Sequence, residues 1–151
     1  MNAQNIMKTP VIKVEENETV RAVVKKFIEN GISGLPIVNE TNQIIAYISD
    51  GDIMRYIGKH KDYVYESFFF IGLIKGDHDK YDERAEKVLD LNVMAIAKRK
   101  VVKTEWDTEI EDIAAILGER QIKKLPVEKN GELVGIISRG DVIRHSFEML
   151  L

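Results

Sequence analysis

The stretch ISDGDIMR at residues 48–55 returns 89 residues later as ISRGDVIR at residues 137–144. Each copy predicts an apolar strand that runs into a Ser-x-x-Asp sequence and then into a short helix. The serine hydroxyl and the aspartate carboxylate can cap the first free N–H groups of that helix. They can equally face a ligand, because a helix N-terminus favours an anion and a carboxylate can accept two hydrogen bonds from a ribose diol. A helix cap is the ordinary interpretation of one copy, but recurrence at the same spacing shifts the balance towards a ligand.

The residues before the first copy predict a short strand, a helix and two further strands. A loop around residues 6–10 leads into a segment rich in β-branched residues. Gly31 marks the end of the helix, whose apolar face is formed by Val20, Val23, Val24, Phe27 and Ile28. Residues 35–38 and 44–48 are predicted to be strands joined by a polar loop.

The same order recurs at an offset of 90 residues, which becomes 89 after one residue is lost from the loop between the strands. Ile110, Ile113, Ala114 and Leu117 repeat the helix face. Asn130-Gly131, between two apolar runs, is a strong signal for a tight hairpin. The chain is therefore predicted to be an internal duplication of a β-α-β-β-α unit.

Two such small units would each leave one sheet face uncovered. They are therefore expected to pack sheet against sheet about a pseudo-twofold axis, giving an α+β fold in which equivalent loops line two related clefts. We predict a first repeat at residues 1–57, a helical and apolar linker at 58–92, and a second repeat at 93–151.

Composition is that of a soluble globular protein, with 151 residues, 44% hydrophobic and 31% charged residues. A net charge of −3 gives no general affinity for nucleic acid or for an anionic membrane. No secretory signal is visible, no apolar run is long enough to span a bilayer, and the chain has no cysteine. These features predict a cytoplasmic protein without disulfides, thiolate metal sites or thiol catalysis.

The duplicated Ile-x-x-Leu-Pro before the second strand and Ser-x-x-Asp before the last helix resemble those of a CBS domain pair, the Bateman module named after cystathionine β-synthase. The resemblance covers about residues 6–147 apart from the linker. It implies a stand-alone regulatory module that binds adenosine nucleotides or derivatives in the cleft between the repeats, usually as a dimer of pairs. It implies no catalysis and no obligatory cofactor, with an adenine nucleotide of the AMP, ADP or ATP class as the regulatory ligand.

In that family each cleft joins the Ser-x-x-Asp of one repeat to the Ile-x-x-Leu-Pro and the leading loop of the other. The aspartate holds the ribose, and apolar residues enclose the adenine. Carried over, the first site consists of Ser49, Asp52, Arg55, Lys98, Arg99, Val101, Lys123, Lys124 and Pro126. The second site consists of Lys8, Thr9, Pro10, Ile12, Ser33, Gly34, Pro36, Ile137, Ser138, Arg139, Asp141 and Arg144.

The two predicted sites differ in charge and shape. A run of lysines and arginines is usually a solvated surface, but the fold would bring two separate basic clusters, 98–100 and 123–124, to the first cleft, which makes a phosphate role about as well supported. The second site has neutral Ser33-Gly34 in place of Lys123-Lys124 and suits a nucleoside or a monophosphate better. Two residues depart from the family pattern and alter cleft shape, since Ala46 replaces the glycine seen at Gly135 and Ala97 replaces the methionine seen at Met7.

The linker begins with a strongly apolar stretch that contains Phe68, Phe69 and Phe70 and continues into a predicted helix at residues 83–91. Aromatic stripes usually pack, so we expect a core or interface role and a homodimer. Asp77-His78-Asp79 with Asp82 invites a metal interpretation, but it lacks the glycine and terminal glutamate of a calcium loop. A solvated acidic turn is the favoured interpretation, and no metal site is predicted.

Four functions remain to be compared. The leading hypothesis is an adenine-nucleotide sensor that transmits its state to an unknown effector protein. The alternative is a protein-interaction or dimerisation scaffold with empty clefts. An enzyme is disfavoured because the sequence has no Gly-rich phosphate loop, nucleophile–base pair or metal set. DNA binding is disfavoured because no helix-turn-helix segment or basic domain is present.

Overall fold

The structure is a computed structural model that describes residues 1–60 and 80–151, together with the backbone of two strands at 63–66 and 71–74. Each repeat is a three-stranded sheet with flanking helices, so the predicted α+β fold of two β-α-β-β-α units is confirmed. The first repeat contains α1 (Ala3–Ile6), β1 (Val14–Glu15), α2 (Val20–Asn30), β2 (Gly34–Val38), β3 (Ile44–Ser49) and α3 (Asp50–Ile57). The linker contains β4 (Tyr63–Glu66), β5 (Ile71–Ile74) and α4 (Tyr81–Leu89). The second repeat contains β6 (Thr104–Glu105), α5 (Ile110–Glu119), β7 (Lys124–Lys129), β8 (Glu132–Ser138) and α6 (Arg139–Phe147).

The two sheets have the same topology. In each, the first strand runs parallel to the second, and the second pairs antiparallel with the third. Leu35 lies opposite Ile48, and its counterpart Leu125 lies opposite Ile137. The sheets meet at a small cluster formed by Val38, Ile44 and Leu133. This repeated register places the two Ser-x-x-Asp sequences at equivalent points.

Helix α2 forms where its apolar stripe predicts. Val20 and Val23 are buried, and Gly31 ends the helix in the left-handed conformation with φ of 61°. Ile28 is the exception, with 77% of its surface exposed. It lies at the edge of the stripe in the last turn, where the sheet no longer covers the helix.

The hairpin predicted at Asn130-Gly131 is confirmed. Strands β7 and β8 are joined by these two residues alone, with φ of 52° at Asn130 and 80° at Gly131. Both residues therefore have the left-handed backbone that a two-residue type I′ turn requires, which asparagine and glycine adopt most readily.

The segment at the start of each repeat packs on the other repeat, so the two segments are exchanged. Residues of α1 pack on the second repeat, where the Ala3 amide donates to the Thr108 carbonyl at 2.8 Å and Ile6 is buried in the core. Reciprocally, Val93 is buried in the core of the first repeat, and its amide donates to the Glu18 carbonyl at 3.0 Å. Each repeat therefore completes the hydrophobic core of the other.

Among the described linker residues, a helix is found in the second half and strands in the first. Its first half contains β4 and β5, which pair antiparallel, and α4 covers most of the predicted helix. Helix α4 packs on α2 and α3, where Val88 is buried and Arg84 Nε donates to the Ile57 carbonyl at 2.9 Å. The phenylalanines at 68–70 and the acidic group at 77–79 lie outside the described residues.

Candidate functional site

Two backbone bridges build the clefts between the repeats. Tyr47, in β3, and Lys98 exchange hydrogen bonds of 2.9 and 3.0 Å through their backbone groups. Ile136, in β8, and Lys8 make the equivalent pair at 3.2 and 2.9 Å. The leading segment of each repeat thus lies along the third strand of the other, beside its Ser-x-x-Asp sequence.

The first cleft, called here the Asp52 cleft, has a volume of about 270 Å³. It brings together seven of the nine residues predicted for the first site. These are Ser49, Asp52, Lys98, Val101, Lys123, Lys124 and Pro126. Arg99 does not line the cleft, and neither does Arg55, whose guanidinium is bonded to Asp52.

The second cleft, the Asp141 cleft, is smaller at about 170 Å³. Half of the residues predicted for the second site line it, namely Lys8, Pro10, Ile12, Gly34, Ser138 and Asp141. Ser33 lines the Asp52 cleft instead, and Thr9 lines neither. Pro36 and Ile137 are buried within their strands and do not line the cleft.

The two arginines predicted for the second site donate hydrogen bonds to groups of the protein and do not line the cleft. Arg139 donates to three backbone carbonyls at the end of α5 and just beyond it, Leu117 at 2.9 Å, Arg120 at 3.1 Å and Ile122 at 2.9 Å. It therefore satisfies the free carbonyls of the helix end. Arg144 donates to Asp141 at 2.6 Å from the next turn of α6.

Asp141 is held by four groups although its side chain is fully buried. Oδ2 accepts from the Ser138 amide at 2.8 Å and from its hydroxyl at 2.9 Å. Oδ1 accepts from Arg144 at 2.6 Å and lies 3.3 Å from Lys8 Nζ. Burial alone would raise the pKa of the Asp141 carboxyl, but the bonds from Ser138 and Arg144 and the charge of Lys8 outweigh it and hold that pKa below its usual value.

Asp52 has the same cap but fewer partners. Its Oδ2 accepts from the Ser49 amide at 3.0 Å and from the hydroxyl at 3.3 Å, and Oδ1 accepts from Arg55. Both aspartates therefore belong to a capping box at the start of the last helix of their repeat. The cap and the ligand interpretations are compatible, because each carboxylate also lines a cleft.

Positive charge is concentrated at the Asp52 cleft. Four lysines line it, with two carboxylates, Asp50 and Asp52. Among the described residues no ion pair engages those lysines, which are Lys98, Lys100, Lys123 and Lys124. Lys124 also lines the Asp141 cleft, and burial, followed by the charge of Lys8, lowers the pKa of its ammonium group while Asp141 opposes the shift.

The structure adds Tyr47, Asp50 and Gln121 to the lining of the Asp52 cleft. Burial, with the nearby charge of Asp50, raises the pKa of the Tyr47 phenol to about 12. A Cβ atom on Gly34 would overlap the Tyr47 ring, so glycine is required there. Side chains alternate between the two faces of β3, and Ile44, Ala46 and Ile48 are buried on one of them. This alternation would have placed Tyr47 on the opposite face and so in the cleft.

The two departures from the family pattern, Ala46 and Ala97, offset each other in side-chain volume. Met7 lies over Gly135 so closely that a Cβ atom there would overlap its side chain. In the other repeat the equivalent positions are Ala46 and the smaller Ala97, which share one core cluster. A glycine with a methionine in one repeat thus corresponds to two alanines in the other.

Neither a metal site nor a membrane span is found in the part of the chain that the structure describes. No group of three or more metal-ligating side chains occurs among those residues. None of the described helices is long and apolar enough to cross a membrane.

Comparison with known proteins places this arrangement in a family. A family model described as the CBS domain matches twice, at residues 3–59 and 93–148. The protein MJ1426 of Methanocaldococcus jannaschii is 32% identical over 151 residues, which covers 95% of this chain and 89% of the relative.

Solved structures of the same fold include two with adenosine-containing ligands. CBSX2 of Arabidopsis thaliana in complex with AMP has a TM-score of 0.74 and 21% identity, covering 99% of both chains. The CBS domain pair of MJ0100, in complex with 5′-methylthioadenosine and S-adenosylmethionine, has a TM-score of 0.71 and 19% identity, covering 99% of this chain and 98% of that one. At these identities the likeness establishes the fold.

Proposed function

This chain belongs to the CBS domain family, and on that premise we propose that it is a regulatory module that binds an adenosine nucleotide in the Asp52 cleft. Binding changes the arrangement of the repeats, and a partner protein responds to that change. One observation carries the proposal, namely that a capped aspartate, an apolar wall and four lysines without an ion-pair partner among the described residues line one cleft. We propose no catalysis, and the expected cytoplasmic location rests on the sequence alone.

Each part of an adenosine nucleotide has a matching group in the Asp52 cleft. Asp52 accepts hydrogen bonds from the ribose hydroxyls, at the Oδ1 atom that Arg55 leaves partly free. The adenine packs against the apolar residues Val101, Val102, Ile122 and Pro126. The phosphates extend towards the lysines, where charge-assisted hydrogen bonds are available.

The named ligands of two structural neighbours support this ligand class. AMP, 5′-methylthioadenosine and S-adenosylmethionine differ in charge and size but share adenosine. The Asp52 cleft, at about 270 Å³, lies just below the roughly 300–1,000 Å³ typical of small-molecule pockets. We therefore expect the nucleoside to fill the cleft and the outer phosphates to remain near its mouth.

A thermal-shift panel tests the proposal, with AMP, ADP, ATP, S-adenosylmethionine, NAD and cyclic dinucleotides as ligands and GMP as the control. A ligand at 100 times its dissociation constant stabilises the folded state by about 2.7 kcal/mol. For a domain of this size each kcal/mol raises the melting midpoint by roughly 2–4 °C. The right ligand should therefore raise it by about 5–10 °C. Flat curves across the panel would favour the alternative function, a scaffold with empty clefts.

A homodimer is the second part of the proposal. Met54 in α3 and Ile143 in α6 occupy equivalent positions and are 61% and 59% exposed. Exposed apolar residues at related points of two helices suit a twofold interface. Light scattering should give twice the chain mass, and the pair Met54→Glu and Ile143→Glu should lower it. A monomer at high concentration would contradict the proposal.

A further inference from the structure

Both oxygens of the Asp141 carboxylate are engaged within the protein, Oδ2 by Ser138 and Oδ1 by two cations. A carboxylate offers about four lone-pair sites, two on each oxygen. Ser138 takes both on Oδ2 through its amide and hydroxyl, at 2.8 and 2.9 Å. Arg144 donates to Oδ1 at 2.6 Å, and the Lys8 ammonium group forms an ion pair with the same oxygen at 3.3 Å. A ribose hydroxyl that approaches the remaining acceptor position of Oδ1 therefore meets the Lys8 ammonium group.

Asp52 has one position open. Ser49 occupies Oδ2 in the same way, but among the described residues Arg55 is the only partner of Oδ1. Lys98 is the counterpart of Lys8, and its backbone makes the equivalent bridge to β3. It lines the Asp52 cleft without an ion pair to Asp52 in the part of the chain that is described.

Around the two aspartates, the difference between the clefts therefore lies in one lysine side chain. The serine cap and the arginine three residues after the aspartate are common to both. Lys8 Nζ contacts a carboxylate that is 0% exposed, while the Lys8 side chain itself is 64% exposed and free to turn into solvent. The ion pair of Lys8 narrows the smaller of the two clefts, but the exposed lysine side chain is not fixed in that position.

We propose that the Lys8 ammonium competes with the ligand for Asp141, so that the two clefts fill in order and the Asp52 cleft fills first. The inference rests on the proposed function and adds the regulation of the second site. A ligand at the Asp141 cleft must replace an ion pair at a buried carboxylate, whereas a ligand at the Asp52 cleft adds hydrogen bonds to an open position. Lys8 thereby sets the concentration at which the second molecule binds.

Lys8→Met tests the proposal, with Lys98→Met as the matched control. Adenosine is the probe, because it has the ribose diol and no phosphate that either lysine could bind. Calorimetry is performed in an Asp52→Ala background, where adenosine binding at the Asp52 cleft is weakened and the Asp141 cleft is observed more directly. Lys8→Met should raise adenosine affinity there about twofold to fivefold, the range expected when an ion pair with one exposed partner is removed, and Lys98→Met should give no gain.

A second readout needs no ligand. The Asp141 carboxyl is titrated by NMR in the wild-type chain and in both lysine variants. Lys8→Met should raise the pKa of Asp141, because it removes a cation from Oδ1, and Lys98→Met should not. An unchanged Asp141 titration would overturn the proposal, since the ion pair would then be absent in solution.

The remaining outcomes distinguish a failure of the Lys8 competition from a failure of the proposed function. Suppose that the Asp141 pKa rises in Lys8→Met while adenosine binding at that cleft is unchanged or weaker. Lys8 would then be a ligand contact and not a competitor, and only the present proposal would fail. If neither adenosine nor AMP binds the wild-type chain or any variant, the proposed function fails and the competition fails with it.

Discussion

The Asp52 cleft and the Asp141 cleft are built from duplicated sequence, yet they differ in size, charge and the state of their aspartate. The frame is shared, because each has a Ser-x-x-Asp cap and a leading segment bridged to a third strand. The differences in size and charge come from positions that the duplication did not preserve, since Gly34 and Tyr47 in one repeat correspond to Lys124 and Ile136 in the other. The state of the aspartates differs although Lys8 and Lys98 are equivalent lysines, because only Lys8 forms an ion pair with its aspartate in the described structure. The duplication thus defines where the two clefts lie, and these differences carry the proposals about ligand choice and the order of binding.

The largest expected effect concerns the exchanged segments, through which each repeat completes the hydrophobic core of the other. Ile6 belongs to the first repeat in sequence but is buried in the core of the second. Ile6→Ala should therefore lower the free energy of unfolding by about 2–5 kcal/mol. The control Ile28→Ala, at a residue that is 77% exposed, should change it by less than about 0.5 kcal/mol. Denaturant titration measures both, and equal small losses would refute the exchange.

The next prediction concerns the size compensation between the repeats. Gly135→Ala forces Met7 to move, because the new methyl group overlaps its side chain, and should cost about 1–3 kcal/mol. Adding Met7→Ala recreates the Ala46 and Ala97 pair of the other repeat. The double variant should therefore be more stable than the sum of the single changes predicts, by about 0.5–3 kcal/mol in a denaturant-based cycle. Simple additivity would show that the two residues do not share the space.

A smaller effect separates phosphate binding from nucleoside binding. Lys123→Ala/Lys124→Ala should weaken ADP or ATP at the Asp52 cleft about threefold to tenfold and spare adenosine and AMP, because only the outer phosphates reach those ammonium groups. The penalty should shrink as salt rises. Lys25→Ala/Lys26→Ala on α2 changes the net charge equally, away from both clefts, and should have little effect. In calorimetry, equal losses for AMP and ATP would show that the lysines position the nucleoside.

The smallest effect is a pH dependence of stability at the Asp141 cleft. Because the folded state lowers the pKa of Asp141, its carboxylate stabilises the fold above the ordinary carboxyl pKa of about 3.9. That contribution is lost as pH falls through the lowered folded-state value. Wild type should thus exceed Asp141→Asn in stability at pH 7, and the difference should shrink below about pH 4. A constant difference across acid melts would contradict the lowered pKa.

The duplicated pattern was sufficient to predict the fold from the sequence. Helical spacing from Val20 and the Asn130-Gly131 turn are local signals, and both formed as expected. The exchange of Ala3 and Val93 between the cores was not predictable, because a short apolar segment does not show which sheet it covers. The strands β4 and β5 were missed because an apolar run of that length fits a strand or a helix.

The clefts were predicted less completely than the fold. The aspartates and lysines were found because the repeat and the family pattern mark their positions. The direction of a long side chain is decided by its partners, and so Arg139 was expected in a cleft but binds carbonyls at the end of α5. Tyr47 was missed because residues 44–48 were predicted as a strand without assigning its two faces.

Calorimetric titration of AMP into Asp52→Ala and Asp141→Ala tests the central claim most directly, that the Asp52 cleft is the primary nucleotide site. Both proteins should first be shown to be folded by circular dichroism. Asp52→Ala removes charge-assisted hydrogen bonds to the ribose, worth about 1.5–3 kcal/mol each, and should weaken the tighter site tenfold or more. Asp141→Ala should affect that site far less. Loss of the tighter site in Asp141→Ala, with Asp52→Ala unchanged, would contradict the account.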